Sequence, residues 1–212
     1  MNVAFYTVLR GDPSHLVLAE ILTGSVRKAM PGATVVQLTD RTTPAVPGVD
    51  VVRRRDSGPM SVRRIEHYWA LGGETLFVDT DVIIERCVEH VFGEPFDVAV
   101  ADRKGWMNVA APFNFGVMFS RSRRFWEAVL LRLQAMPAAE QEWMGEQTAA
   151  HEVVRAGGFD VKVLPGLLYN HPPKSAIQDL GGKYILHYKG ARKALMLERA
   201  GEYRRSEWRT RT

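Results

Sequence analysis

Two carboxylates, two residues apart, stand directly behind an apolar run in Thr75-Leu76-Phe77-Val78-Asp79-Thr80-Asp81. An unpaired charge beside buried hydrophobic residues is costly, so Asp79 and Asp81 call for a cation to compensate them. Residues two apart on a strand face the same side, so the pair can converge if strand geometry persists to its end. Beyond the carboxyl end of a strand in an open α/β sheet, paired carboxylates suit a hard divalent ion, which in turn bridges phosphate oxygens. A plainer use also fits the tripeptide, with one Asp capping the next segment and the other solvated.

A second constellation is Tyr184-Ile185-Leu186-His187-Tyr188-Lys189-Gly190-Ala191-Arg192-Lys193. A neutral imidazole at His187 can complete a metal site begun by carboxylates, and would favour manganese over magnesium. The Lys193 ammonium could stabilise a departing diphosphate. The alternative puts His187 in the core and Lys193 on a solvated helix face. Phe113-Asn114-Phe115-Gly116-Val117-Met118-Phe119 carries one amide in an apolar strand. Asn114 can bond a hydroxylated ligand or a neighbouring backbone group, and Gly116 suggests close backbone packing. Glu146-Gln147 lies in a fairly apolar helix and either enters a pocket or forms an exposed pair.

The elements that must position these residues alternate. Val3 to Leu9 reads as a strand, Leu18 to Met30 as a helix stopped by Pro31-Gly32, and Thr34 to Leu38 as a second strand. Arg41 to Met60 reads as loop around a short strand at Val49 to Val52. Val62, Ile65 and Trp69 mark one face of a helix ending at Gly72-Gly73, ahead of the Asp79/Asp81 strand. Asp97 to Ala101 and Phe113 to Ser120 follow as strands, then helices at Trp126 to Leu133 and Trp143 to Ala156. Asp160 to Leu164 and Tyr184 to Tyr188 are late strands. Strand and helix alternate through the first half, which predicts an α/β sheet with helices on its faces.

At 212 residues, 46% hydrophobic and 25% charged, the chain has the balance of one globular domain with a sizeable core, spanning residues 1–212. A net charge of +4 suits an anionic ligand but is too small to argue for nucleic acid. Arg53-Arg54-Arg55 has no aromatic interleaving and reads as a solvated loop, so no nucleic-acid partner is expected. Cys87 is the only cysteine, which excludes an internal disulfide and suits the cytoplasm. The N-terminus reads as a strand rather than a signal peptide, and no apolar run approaches the ~20 residues of a membrane helix.

Taken in order, Asp79-Thr80-Asp81, Phe113-Asn114-x-Gly116-Val117-Met118, Glu146-Gln147, Leu164-Pro165 with Tyr169-Asn170, and His187-x-x-Gly190-x-x-Lys193 form a series. It resembles the nucleotide-sugar glycosyltransferases of the GT-A fold, and most closely the family-eight, galactosyltransferase- and glycogenin-like retaining enzymes. The resemblance runs from Val3 to about Lys193. It implies a single GT-A-like domain with a mixed, mostly parallel sheet flanked by helices, and metal-dependent transfer from a nucleotide diphosphate sugar, UDP by family habit, to an acceptor hydroxyl on a glycan, lipid-linked or protein acceptor.

By the same resemblance Asp79, Asp81 and His187 would hold the metal, Mn2+ favoured and Mg2+ second, with Lys193 on the diphosphate. Arg63 or Arg64 is similar to the arginine that reaches the donor. Asn114 matches the amide lining the sugar pocket, where Asp102 is also placed. Gln147 matches the glutamine beside the reacting sugar, and Gln147 and Asp102 are the catalytic candidates. Thr7 and Asp40 stand where base contacts are made. The sequence departs from the family at Phe115, usually a small residue, at Glu146, usually Asp, and at Ala194-Leu195, often Pro-Trp. The chain is also short for the family.

Two rivals remain. Leu-Phe-Val-Asp-x-Asp also resembles the nucleophile strand of haloacid-dehalogenase-like phosphatases, which need a later lysine and a further acidic pair in their own order. A non-catalytic nucleotide-sugar-binding module is the other. Residues 198–212 mix Arg199, Arg204, Arg205, Arg209 and Arg211 with Tyr203, Trp208 and three glutamates. That tail either holds the protein peripherally at the inner, anionic membrane face or pairs its charges along a solvated helix.

Overall fold

The apolar runs become the centre of one sheet. A computed structural model describes residues 1–9, 13–56, 58–103, 113–142, 144–175 and 180–203. Strand β1 (Asn2–Tyr6) is followed by helix α1 (Ser14–Ala29), β2 (Thr34–Thr39) and β3 (Val51–Arg54). Helix α2 (Met60–Leu71) leads into β4 (Thr75–Val78), then β5 (Val82–Ile84), β6 (Val98–Asp102) and β7 (Phe113–Ser120). Helices α3 (Arg123–Gln134), α4 (Ala138–Gln141) and α5 (Gly145–Ala156) precede β8 (Val161–Leu164). Helix α6 (Gly166–Tyr169), β9 (Ile185–His187), α7 (Lys193–Glu198) and α8 (Ala200–Tyr203) complete the described chain.

Seven strands form the main sheet in the order β3-β2-β1-β4-β7-β6-β8. The pairs β1–β2, β1–β4, β2–β3 and β6–β8 are parallel, whereas β7 runs antiparallel to both β4 and β6. Central parallel strands are covered on both faces, which is why β1 and β4 are continuous apolar runs rather than alternating ones. Val3, Phe5, Leu76 and Val78 face α1 with Leu22 and Val26. Ala4 and Phe77 face the other way, onto Ile65, Tyr68, Phe125 and Trp126 of α2 and α3. Strands β5 and β9 form a separate antiparallel pair, with Val82 opposite His187 and Ile84 opposite Ile185.

The structure moves several sequence expectations. The short strand lies at Val51–Arg54, not Val49 to Val52, and so takes in Arg53 and Arg54. Those arginines are not merely solvated: Arg54 Nη1 donates to the carbonyls of Asp40 and Thr43, each at 2.7 Å, and Arg55 pairs with Glu66 at 3.3 Å. On α2 the buried face is Val62, Ile65 and Tyr68, while Trp69 is 37% exposed; steps of three and of four both stay on one side of a helix, and the aromatic that packs inward on Phe77 and Trp126 is Tyr68. The helix before β8 is described from Gly145, and Trp143 lies outside the described residues. In the tail, Arg199 turns inward to Glu85 (2.5 Å), Glu202 (2.8 Å) and the hydroxyls of Tyr188 and Tyr203. Arg204, Arg205, Trp208, Arg209 and Arg211 lie outside the described residues. Among the described residues no helix is long and apolar enough to cross a membrane.

One buried titratable group on α2 gives the fold a pH signature. His67 is 3% exposed, and its Nε2 lies 3.2 Å from the Thr39 carbonyl, closing α2 against the end of β2. Burial pushes its imidazole down to about 4, and Arg55, Arg53 and Arg63 add repulsion against the hydrogen bond's opposing pull. The unfolded chain takes up this proton near pH 6.5 and the folded protein only near 4, so stability falls as pH drops through that window. Between pH 7 and 4 this residue should cost at most about 3 kcal/mol of unfolding free energy. Urea unfolding of the wild type and His67→Gln across this range should show their difference changing with that slope; parallel curves would refute it.

Candidate active site

Asp79, Asp81 and His187 meet where the two sheets touch. Strand β4 ends at Val78, and the Asp79 amide then donates to the Gly116 carbonyl on β7 (3.0 Å). The convergence of Asp79 and Asp81 therefore does not come from continued strand alternation. It comes from a turn at Thr80 that hands the chain to β5, where the Tyr188 amide donates to the Asp81 carbonyl (2.8 Å) and the β5–β9 ladder begins. The main sheet holds Asp79, and the small sheet holds Asp81, one residue before Val82, the cross-strand partner of His187.

The resulting geometry is a cation site by its chemistry. His187 is 1% exposed; Nε2 lies 3.1 Å from Asp81 Oδ1 and 3.7 Å from Asp79 Oδ2. Ligand atoms of the three residues all fall within 4.8 Å of one another. On the other side of the ring, His187 Nδ1 lies 2.8 Å from Asn170 Oδ1. A proton on Nδ1 satisfies that bond and leaves the Nε2 lone pair facing two carboxylates. Three acceptors this close need a positive charge among them, and an imidazole with two carboxylates is a donor set for a divalent metal.

Room for the cluster is made by one missing side chain. A Cβ at Gly116 would lie 2.2 Å from Asp79 Oδ2 and 2.4 Å from His187 Cε1. The pairing of β6 with β7 shifts register between Val100 and Asp102, next to this stretch, as strands often do beside functional sites. Phe115 turns its ring away from the site onto Tyr68 (6.1 Å, stacked) and Trp126, so the unusual bulk fills the helix-side core.

Cations flank the carboxylates. Arg64 Nη2 bonds Asp79 Oδ1 at 2.5 Å, its Nη1 lies 3.4 Å from Glu146 Oε1, and its Nε donates to the Tyr68 hydroxyl at 2.7 Å. The guanidinium also sits over the Phe115 ring at 5.1 Å. Burial alone would raise the Asp79 carboxyl, but Arg64 above all, then His187, holds it below the ordinary carboxylate value. Lys193 Nζ lies 3.7 Å from Asp81 Oδ2. Lys189 is drawn down to about 8 by burial and by Arg103, against the pull of Asp79 and Asp81.

The remaining sequence candidates fall into two groups. Gln147 is 6% exposed, and its Oε1 accepts from Arg103 Nη2 (3.1 Å) and the Phe115 amide (3.4 Å). Asn114 Oδ1 accepts from the Gly116 amide at 3.1 Å, and Asp102 Oδ1 from the Gly166 amide at 2.8 Å. Asp102 and His187 line one small, open cleft, together with Arg103, Asn170, Pro172 and Lys189. The structure does not draw Arg63, Thr7 or Asp40 into this cluster. The Nε of Arg63 is buried with no hydrogen-bond partner among the described residues. The Thr7 carbonyl accepts from Thr39 Oγ1 (2.6 Å), and Asp40 Oδ1 takes the Thr42 and Thr43 amides (3.0 and 2.7 Å). Both lie past the carboxyl ends of β1 and β2.

Arg103, Lys189, Asn170, Glu146 and Tyr68 join the site without having been given a role from sequence. Asn170 and Lys189 stood inside the quoted motifs, and Arg103 adjoins Asp102; nothing in their spacing tells a site residue from a surface one.

No family model matches the sequence, and no curated protein does either. Solved structures do match. The glycosyltransferase GlyE of Streptococcus pneumoniae TIGR4 superposes with a TM-score of 0.69 at 14% identity, over 94% of this chain and 59% of its own. The galactosyltransferase LgtC, in complex with donor and acceptor sugar analogs, gives 0.61 at 14% identity over 99% of both chains. A glycosyltransferase that glycosylates the major capsid of PBCV-1 gives 0.65 at 13% identity, over 95% of this chain and all of its own. The chain thus spans about three-fifths of GlyE's length, and the fold is the GT-A fold.

The close approach at Gly116 is testable. Gly116→Ala should displace Asp79 or His187, lowering unfolding free energy by about 1–3 kcal/mol and weakening divalent-cation binding about 10-fold or more in calorimetric titration. Unchanged affinity in a folded variant would show that this contact does not shape the triad.

Proposed function

We propose that the protein is a metal-dependent glycosyltransferase that moves a sugar from a nucleotide diphosphate sugar, with UDP as the nucleotide, to an acceptor hydroxyl. The observation carrying this reading is the triad of Asp79, Asp81 and His187 with Lys193 beside it, beyond the carboxyl end of β4. In such a sheet that edge is where ligands bind. The GT-A fold supports it, as does LgtC, whose structure holds donor and acceptor sugar analogs. Bound at the triad, a divalent cation, with Mn2+ suited to the mixed nitrogen and oxygen donors, would offset charge on the diphosphate.

The chain's own groups would do the rest. Arg64 holds Asp79 in its ionised form and fixes its orientation. Asn170 sets the His187 ring through Nδ1. The Lys193 ammonium meets the negative charge that builds on the diphosphate as its bond to the anomeric carbon breaks. The acceptor oxygen bonds that carbon from the same face, and its proton passes to the departing phosphate oxygen, so the configuration is retained. Gln147, held by the Phe115 amide and Arg103, positions the reacting sugar, with Asn114, next to Phe115, on its side and Asp102 at the border with the cleft that His187 lines. Thr7 and Asp40, at the neighbouring strand ends, would serve the base. The exposed thiol of Cys87 suits a reducing cytoplasm. A phosphatase nucleophile needs a free carboxylate oxygen, whereas Asp79 has one oxygen on Arg64 and the other facing His187.

A thermal-shift panel of nucleoside diphosphates, each with and without Mn2+, tests the donor site. Stabilisation should require both the metal and one nucleotide. Asp79→Asn and Asp81→Asn should each lose that coupling and lower turnover of the matching nucleotide sugar on the order of 100-fold. Full turnover in either variant, or hydrolysis of aryl phosphates by the wild type, would reject the assignment. Binding with neither transfer nor sugar hydrolysis would instead make it a binding module.

A further inference from the structure

We propose that the cleft beside His187 receives an anionic substituent, a carboxylate or a phosphate, carried by the acceptor and seated between Arg103 and Lys189. This deepens the glycosyl-transfer reading and rests on it. Among the described residues, cations near the triad divide into two kinds. Arg64 and Lys193 lie within 4 Å of Asp79 and Asp81. Arg103 and Lys189 line the cleft, and among the described residues neither has a carboxylate oxygen within that distance. Among the described residues Asp102 is the one acid lining the cleft, and its Oδ1 already accepts from the Gly166 amide.

Position separates this cleft from the diphosphate. It shares His187 with the triad but is not lined by Asp79, Asp81 or Lys193. The Arg103 guanidinium donates to Gln147 Oε1, the side chain assigned to the reacting sugar, and one such bond leaves most of its donors for a ligand. A planar guanidinium with an ammonium across the cleft matches the oxygens of a carboxylate or phosphate. Both side chains are half-buried, where such a charge-assisted bond discriminates more strongly than on open surface. A neutral sugar would leave two like charges facing each other.

The test uses the full chain with Mn2+. Saturation-transfer NMR compares methyl β-D-glucuronide, glycerol 3-phosphate and methyl β-D-glucoside, alongside the UDP-plus-Mn2+ thermal shift. At least one anionic probe should bind about 10-fold or more tightly than the glucoside, and whichever does identifies carboxylate or phosphate. Arg103→Gln and Lys189→Met should each remove that preference while keeping the UDP-plus-Mn2+ shift. Equal binding of all three probes would overturn the proposal. So would loss of the UDP shift in the variants, which would give the two cations to the diphosphate. A preference confined to UDP-glucuronic acid over UDP-glucose would move the anion to the transferred sugar and overturn the acceptor assignment. If the anion preference stands but no nucleotide shifts the wild type, the donor reading fails and the anionic cleft survives.

Discussion

Three hydrogen-bond acceptors, two of them charged, face one another within 4.8 Å at the heart of this molecule. Such a cluster is unstable by itself, since each carboxylate loses water and gains a like-charged neighbour. Arg64 and Lys193 approach Asp79 and Asp81, and Asn170 commits one nitrogen of His187 so that the other points inward. What remains uncompensated is the shared space between the ligand atoms. The surrounding charges hold the carboxylates in place while leaving that space for a cation, which is how a binding site differs from a closed salt-bridge network.

The backbone meets this demand by bringing two sheets to one point. Asp79 leaves the main sheet with its amide on Gly116, whereas Asp81 begins the short ladder in which Val82 faces His187. Antiparallel β7 is the hinge of the arrangement. On its Val117 to Ser120 half it pairs with β4 and fills the core, and at Gly116 it yields the space that Asp79 and His187 occupy. Its Phe115 ring, turned into the aromatic core, supports Arg64 from beneath. Packing and charge placement are thus decided on neighbouring residues of one strand, so a change intended for the core would be felt at the carboxylates.

This explains what the sequence made legible. The bounds of Phe113 to Ser120 could be read directly, because a strand buried along its whole length is written as a mostly apolar run, here interrupted by Asn114 and Gly116. Asp79 and Asp81 stood out because charge behind such a run is unusual. The end of β4 did not, since it depends on a hydrogen bond to Gly116 that local sequence cannot announce. Nor did the pairing of β5 with β9, whose partners are distant in sequence and whose strands are three residues each. The choice between Arg63 and Arg64 turned on helical phase. Taking Trp69 for the buried aromatic leaves the phase open, whereas Tyr68, one turn after Arg64, fixes it through the bond from Arg64 Nε to its hydroxyl.

Helix α5 shows how one helix start can serve both halves of the site. Adjacent residues on a helix point about 100° apart, so Glu146 and Gln147 diverge from its first turn. Glu146 reaches Arg64 and through it the carboxylate cluster, while Gln147 reaches the Phe115 amide and Arg103 on the cleft side. Glutamate in place of the aspartate usual in the family the sequence resembles adds a methylene to the arm that meets Arg64 and none to Gln147. The departure therefore falls within the network that holds Asp79. Its effect is electrostatic: Arg64 lies 2.5 Å from Asp79 and 3.4 Å from Glu146, so the guanidinium sits chiefly on Asp79 with Glu146 as a second, weaker carboxylate partner. A cation entering the triad would therefore use Asp79 Oδ2, the oxygen facing His187, while Arg64 keeps Oδ1.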